Sequence, residues 1–167
     1  MGKELRHTIS VLVENESGVL ARIAGLFSGR GFNIESLSVG ETLDPEVSRM
    51  TIVTRGDERV MDQIVKQLNR LVCTIKVQDF KNTKTVDREL VLVKINADDK
   101  TRAHVMSIID IFRGKVVDVS PGSYVVELTG DEEKIETVLE LFKPIGIREI
   151  VRTGRVAISS GFENLST

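Results

Sequence analysis

The sequence lacks the features that mark several common classes of protein. Its 167 residues include no tryptophan, three prolines, one cysteine and only 4% aromatic residues. A single cysteine cannot form a disulfide within the chain, which argues against a disulfide-rich secreted domain and favours a reducing compartment. No segment approaches the roughly 18 to 20 consecutive apolar residues that span a bilayer, and residues 1–7 lack the apolar centre of a signal peptide. We therefore expect a cytoplasmic protein without a membrane segment.

An excess of one charge is also absent. The net charge is -2, the pI is near 5.8, and acidic and basic residues alternate along the chain. Such a chain offers no basic surface to nucleic acid, and neither a helix-turn-helix nor a basic stripe is visible. Six Phe and one Tyr, mostly at helix-core spacing, also disfavour an RNA-binding sheet, which stacks bases on exposed aromatic side chains. We expect no nucleic-acid partner.

Residues that could perform catalysis or bind a metal are isolated from one another. His7 and His104 have no neighbouring cysteine or carboxylate at metal-ligand spacing, so both are expected at the surface. No Gly-Lys-Ser/Thr phosphate loop and no GxGxxG turn occurs, and the serines beside glycines have no identifiable base. The sequence therefore predicts no catalytic site, no metal site and no cofactor on this chain. Cys73 is expected to be a buried thiol.

What the sequence does contain is one pattern of strands and helices that occurs twice. Alternating and β-branched residues indicate strands, and apolar residues at i, i+3, i+4 and i+7 indicate helices. In the first half they predict a βαββαβ unit with strands at residues 8–13, 34–39, 47–54 and 73–77. Its first helix should bury Leu20, Ile23, Ala24 and Phe27; its second, capped by Asp57, should bury Val60, Ile64, Leu68 and Leu71.

The second half repeats this order after the polar residues 81–88. Its strands are predicted at residues 90–95, 115–119, 124–128 and 147–151, with a turn at 120–123. A helix over residues 101–112 should bury Val105, Ile108, Ile109 and Phe112. A second helix, beginning at Asp131, should bury Ile135, Val138, Leu139 and Phe142.

We therefore predict an α+β fold of two ferredoxin-like βαββαβ domains, each with an antiparallel sheet and two helices on one face. The expected divisions are domains at 1–80 and 89–161, a linker at 81–88 and a tail at 162–167. Residues 154–161 could add an edge strand or dock elsewhere. The sheet face without helices needs a cover, most simply in a symmetric dimer, because its residues are apolar. These residues are Leu12, Leu37, Val53 and Val72.

Residues 15–37 place polar groups at both ends of the first helix. At its start, residues 15–18 offer short polar side chains, a glycine and the unpaired N–H groups of a first turn, which attract a carboxylate. After its end, a glycine turn at residues 28–31 leads to the amide of Asn33. A small zwitterion could be held by such groups, but a well-capped helix between two strands would need the same residues.

Residues 4–161 resemble the regulatory, or small, subunits of acetolactate synthase, also called acetohydroxyacid synthase. The resemblance is carried by HTISVLVENESGVLARIAGLFSGRGFNIESLSVG at residues 7–40, and then by residues 44–58, 64–72, 88–95, 110–121 and 148–161. It implies a first domain of the amino-acid-sensing ACT type, a homodimer and no active site. It also implies a large catalytic subunit that uses thiamine diphosphate, magnesium and FAD to condense pyruvate with pyruvate or 2-oxobutyrate. Members of the family raise the activity of that subunit and confer feedback inhibition by valine, sometimes by leucine or isoleucine.

The resemblance also implies an effector site between two first domains. The family's effector positions correspond to Asn15, Gly18, Asn33 and Ile34, with Asn33 supplied by the neighbouring chain. Backbone N–H groups would receive the carboxylate of valine, amide oxygens its ammonium, and apolar side chains its isopropyl group. The full predicted site is Asn15, Glu16, Ser17, Gly18, Val19, Leu20, Asn33 and Ile34. The identity of the branched-chain effector stays open, and so does a stand-alone amino-acid sensor with a different partner.

Overall fold

The computed structural model describes residues 5–161, which form two compact units. The first unit contains the residues up to Val86 and those from Arg155 onwards, and the second unit comprises Asp87–Gly154. The first unit contains β1 (Leu5–Glu14), α1 (Val19–Gly29), β2 (Ile34–Glu41), β3 (Val47–Gly56), α2 (Glu58–Leu68) and β4 (Thr74–Asp79). Its strands form an antiparallel sheet in the order β2-β3-β1-β4. This is the predicted βαββαβ unit.

The core of the first unit lies between this sheet and its two helices. It is formed by alternate residues of β1 and β3 and by one face of each helix, with Val19, Ile23 and Phe27 from α1 and Met61, Ile64 and Leu68 from α2. Leu20 was expected in this core but is 47% exposed, because α1 begins at Val19 and its buried face follows residues 19, 23 and 27. In α2, Met61 is buried where Val60 was expected, and Leu71 lies beyond the helix end.

Two further expectations for this unit concern single side chains. Cys73 is buried, as predicted, although it precedes β4 and is not part of the strand. His7 is only 4% exposed, so its predicted surface position is wrong. It pairs with Thr54 in the β1–β3 ladder, on the side of β1 that alternation assigns to the core residues Ile9 and Val11. His104 is exposed, as expected.

The face of the first sheet that no helix covers is not fully exposed to solvent. Leu12 and Val53 are fully buried, Leu37 packs against the helix-covered core, and Val72 lies in a loop and is 92% exposed. Part of the cover is the returning chain, since β9 (Val156–Ser159) contacts β1 and Arg155 Nη1 donates to Thr8 Oγ1 at 3.2 Å. The prediction of one uncovered apolar face is therefore wrong, because these four residues do not share one face.

The second unit repeats the architecture. It contains β5 (Thr85–Ala97), whose first two residues belong to the first unit, α3 (Arg102–Ile111), β6 (Lys115–Ser120), β7 (Gly122–Gly130), α4 (Glu132–Phe142) and β8 (Ile147–Arg152). Its strands follow the antiparallel order β6-β7-β5-β8. The predicted faces of α3 and α4 are buried, except that Phe112 lies past the end of α3 and is half-buried. β5 begins inside the stretch expected to be a linker, and residues 162–167 lie outside the described range.

Aspartates cap α2 and α4, as the sequence predicted for α2. The carboxylate of Asp57 accepts from the amide of Val60 at 2.9 Å, and that of Asp131 accepts from the amide of Lys134 at 2.9 Å. Asp131→Ala is expected to lower the free energy of unfolding of the second unit by about 1 kcal/mol, because an amide of the first turn loses its acceptor. Urea unfolding followed by the fluorescence of Tyr124, the single tyrosine, measures this change.

Asp131→Asn is the matched control for this substitution. Asparagine caps helices about as well as aspartate, so the control should stay within roughly 0.5 kcal/mol of the wild type. Equal losses in the two variants would show that the side-chain acceptor does not stabilise α4.

Candidate functional site

The loop before α1 ends at a glycine that can expose backbone amides. Gly18 is the N-cap of α1 and has a φ of 88°, in the left-handed region that favours glycine, and it provides no side chain to cap the first turn. The helix starts with the bond from the Arg22 amide to the Gly18 carbonyl at 3.0 Å, whereas the Val19 amide has only a long contact of 3.4 Å with the Glu16 carbonyl. The first-turn amides and the helix dipole thus suit an anion such as a carboxylate.

The side chain of Asn15 is held by the hairpin between β2 and β3. Its Nδ2 donates to the Pro45 carbonyl at 2.8 Å and to Glu41 Oε1 at 3.2 Å, and its backbone amide donates to the Glu46 carbonyl at 2.7 Å. Because both donors of the side-chain amide are used, Oδ1 is the atom that can accept from a ligand. That residues 41–46 hold this side chain could not be predicted from the sequence, because the contacts join segments about 30 residues apart.

An acidic cavity of about 430 Å³ lies beside this loop. Its lining combines Asn15 with carboxylates and a few apolar groups, namely Glu14, Glu16, Asp44, Glu46, Pro45, Val47 and Ile75. The negative charge favours an ammonium over a carboxylate on this side of the loop. Among residues 5–161, no three His, Cys, Asp or Glu side chains come together in a way that could hold a metal ion.

The remaining predicted residues lie at the other end of α1. Asn33 and Ile34 follow the glycine turn after the helix, and α1 has 11 residues. At 1.5 Å per residue the helix is roughly 16 Å long, which is far more than the length of an amino acid. One copy of the chain therefore does not bring residues 15–20 and residues 33–34 to the same small ligand.

Leu20, Asn33 and Ile34 differ in how far their side chains are exposed to solvent. Leu20 is exposed and thus accessible to a ligand, whereas Ile34 packs partly against the core. Asn33 is exposed at its side chain, but its carbonyl accepts from the buried Thr54 Oγ1 at 2.6 Å. The sequence did not indicate that Thr54 contacts Asn33, because Thr54 follows the regular alternation of β3. The contact becomes visible only once β2 is paired with β3.

The fold and the family match together define the class of the first unit. A βαββαβ unit with the strand order β2-β3-β1-β4 is ferredoxin-like, and residues 9–76 match the family described as AHAS small subunit-like ACT domain, so this unit is an ACT-type regulatory domain. Residues 88–161 match the family described as small subunit of acetolactate synthase. The chain belongs to the acetolactate synthase small-subunit family.

Individual relatives agree with this assignment over nearly the whole chain. The acetolactate synthase small subunit of Aquifex aeolicus is 54% identical over 158 residues, which is 94% of this chain and 82% of that protein. The probable acetolactate synthase small subunit of Methanothermobacter thermautotrophicus is 53% identical over 156 residues, which is 93% of each chain. The crystal structure of the acetolactate synthase small subunit from Thermotoga maritima superposes with a TM-score of 0.85 at 38% identity, covering 94% of this chain and 98% of that one.

Family membership makes this chain a regulatory subunit and not the catalytic one. It confirms the ACT type of the first unit and the ferredoxin-like plan of both. Within the described range of 5–161, no helix is long and apolar enough to cross a membrane.

Proposed function

We propose that this chain binds a large catalytic subunit of acetolactate synthase, raises its activity and makes it sensitive to valine. Leucine and isoleucine are possible effectors as well, since the contacts that would separate them are apolar and an extra methylene changes binding by only about 1 to 3 kcal/mol. The observation that carries the proposal is the N-terminus of α1, where Gly18 leaves backbone amides uncapped next to the oriented amide of Asn15.

In the proposed site, the loop provides the polar contacts of the effector. Backbone amides around Ser17, Gly18 and Val19 bind the carboxylate, and Asn15 Oδ1 accepts from the ammonium. Glu16, on the wall of the acidic cavity, adds negative charge on the ammonium side. The exposed side chain of Leu20 contacts the isopropyl group.

A second copy of the chain completes this site. Asn33 and Ile34 are separated from the loop by the length of α1, so we propose that they reach the effector from the partner in a homodimer. The effector then binds the dimer better than the monomer, and it stabilises the dimer by the same coupling free energy. Catalytic activity would respond through the difference in effector affinity between the active and the inhibited state of the complex.

Cofactor chemistry belongs to the partner in this proposal. Thiamine diphosphate, magnesium and FAD are expected on the large subunit, and this chain contributes no step of the reaction. The proposed setting is the cytoplasm, where a free buried thiol such as Cys73 stays reduced.

Asn33→Ala is expected to abolish the response of the dimer to valine without unfolding it. At a valine concentration 100 times the dissociation constant, the wild type should gain about 2.7 kcal/mol, and the variant should gain almost nothing because the ammonium loses an acceptor. Thermal unfolding of the full chain with and without valine, leucine and isoleucine measures these shifts.

Asn82→Ala, another exposed asparagine of the first unit, is the matched control and should respond like the wild type. A normal valine shift in Asn33→Ala would exclude Asn33 from the site. A wild type that responds to an amino acid but does not affect any large subunit would favour a stand-alone sensor.

A further inference from the structure

Three charged side chains form a cluster on the strand that follows Asn33. Glu35 Oε2 accepts from Arg6 Nε at 2.7 Å, and its Oε1 accepts from Arg55 Nε. Arg6 and Arg55 are directly opposite partners in the β1–β3 ladder. Two like charges in this arrangement repel each other, and the carboxylate of Glu35 compensates for that repulsion.

Glu35 belongs to an irregular part of β2. Ile34 pairs with Thr54 and Ser36 pairs with Val53, so Glu35 is an extra residue that has no partner in the β3 register. A bulge of this kind bends the strand and redirects side chains, and the ladder alone does not fix its geometry. The side chain of Glu35 is nevertheless only 20% exposed, and both guanidinium groups contact it.

Contacts before the bulge and within it attach this part of β2 to the neighbouring strands. Before it, the Asn33 carbonyl accepts from Thr54 Oγ1 at 2.6 Å. Within it, Glu35 is bound to β1 through Arg6 and to β3 through Arg55. These contacts fix the path of the backbone through Asn33 and Ile34.

We propose that Glu35 is a positioning residue of the effector site. By bridging Arg6 and Arg55 it holds the bulge of β2 closed and thereby presents the Asn33 amide and the Ile34 side chain in one orientation. This inference rests on the proposed function, because it assigns the positioning to the same effector site. It makes effector affinity depend on an ion-pair cluster that does not contact the effector.

The test is a calorimetric titration of valine, leucine and isoleucine into the full chain and its Glu35→Gln variant. Glutamine keeps the shape of the side chain but removes its charge, so we expect an affinity about tenfold lower, which is about 1.4 kcal/mol. Glu149→Gln removes the cross-strand ion pair with Lys94 at 3.0 Å in the second unit and serves as the matched control. Its affinity should equal that of the wild type.

The double variant Glu35→Gln/Arg55→Gln separates positioning from a general loss of structure. Because it also removes the charge of Arg55, which repels Arg6, it should recover part of the affinity that Glu35→Gln loses.

A double variant that binds more weakly than Glu35→Gln would overturn the inference. Unchanged affinity in Glu35→Gln, with Asn33→Ala unable to bind, would overturn it too but leave the proposed function standing. Absence of binding in the wild type would overturn both.

Discussion

Arg152→Met is expected to lower the free energy of unfolding of the second unit by about 3 kcal/mol. Arg152, on β8, donates from Nε and Nη2 to the two carboxylate oxygens of Glu89 on β5, at 2.8 and 2.7 Å, and its Nη1 lies 2.9 Å from Glu136 Oε1 on α4. These hydrogen bonds, first those to Glu89, raise the pKa of the Arg152 guanidinium, although partial burial acts the other way. The substitution would leave Glu89, which is 8% exposed, without its main counter-charge.

The magnitude follows from the burial of the two partners. Removing one side of a buried ion pair destabilises a protein by about 3 to 5 kcal/mol, and Arg152 is partly exposed, so the lower end applies. Urea unfolding followed by Tyr124 fluorescence reports on this unit, because Tyr124 is buried in its core.

Lys143→Met provides the matched control, since Lys143 pairs with Glu140 at the surface of the same unit. An exposed pair contributes about 0.5 kcal/mol or less, so this variant should unfold almost like the wild type. If Arg152→Met were equally mild, the bidentate pair would not hold β8 to β5.

Gly18→Ala is expected to remove most of the valine sensitivity of the assembled enzyme. A Cβ at residue 18 would meet no atom within 4 Å, so the effect comes from the backbone, whose φ of 88° is strained for alanine by roughly 1 to 2 kcal/mol. The loop relieves that strain by turning its amides, and a carboxylate bound to them loses its donors. We expect the valine concentration for half-inhibition to rise by about tenfold or more, which is at least about 1.4 kcal/mol.

Gly25→Ala isolates this backbone effect. Gly25 lies within α1, and a Cβ there meets open space. Alanine is about 1 kcal/mol better than glycine inside a helix, so this variant should be more stable and keep the valine response. Loss of sensitivity in both variants would point to α1 as a whole, and retention in Gly18→Ala would exclude the first-turn amides from the site.

The periodic parts of the fold were readable from the sequence. Ile135, Val138, Leu139 and Phe142 are buried as their spacing predicted, because a helix on one sheet face permits one apolar stripe. In α1, Ile23 and Phe27 are buried as predicted, but Val19 takes the first buried position, which the spacing had assigned to Leu20.

Contacts between distant segments could not be predicted in this way. Alternation cannot tell that Arg155 returns to Thr8, or that Thr54 is the residue paired with His7 in the β1–β3 ladder. The predicted site shows the same limit. The residues of the first loop could be predicted because helix caps favour those residue types. The hydrogen bonds between Asn15 and residues 41–46, and the bulge at Glu35, arise only when the strands pair. That Asn33 lies a helix length away from Gly18 also becomes visible only in three dimensions.

The most direct test of the regulatory function is acetolactate formation from pyruvate by the cognate large subunit, with and without this chain, as valine is added. We predict that the chain raises the rate and that valine then lowers it, while the large subunit alone stays insensitive to valine. A rate that this chain does not change, and that neither valine, leucine nor isoleucine inhibits in its presence, would contradict the proposed function.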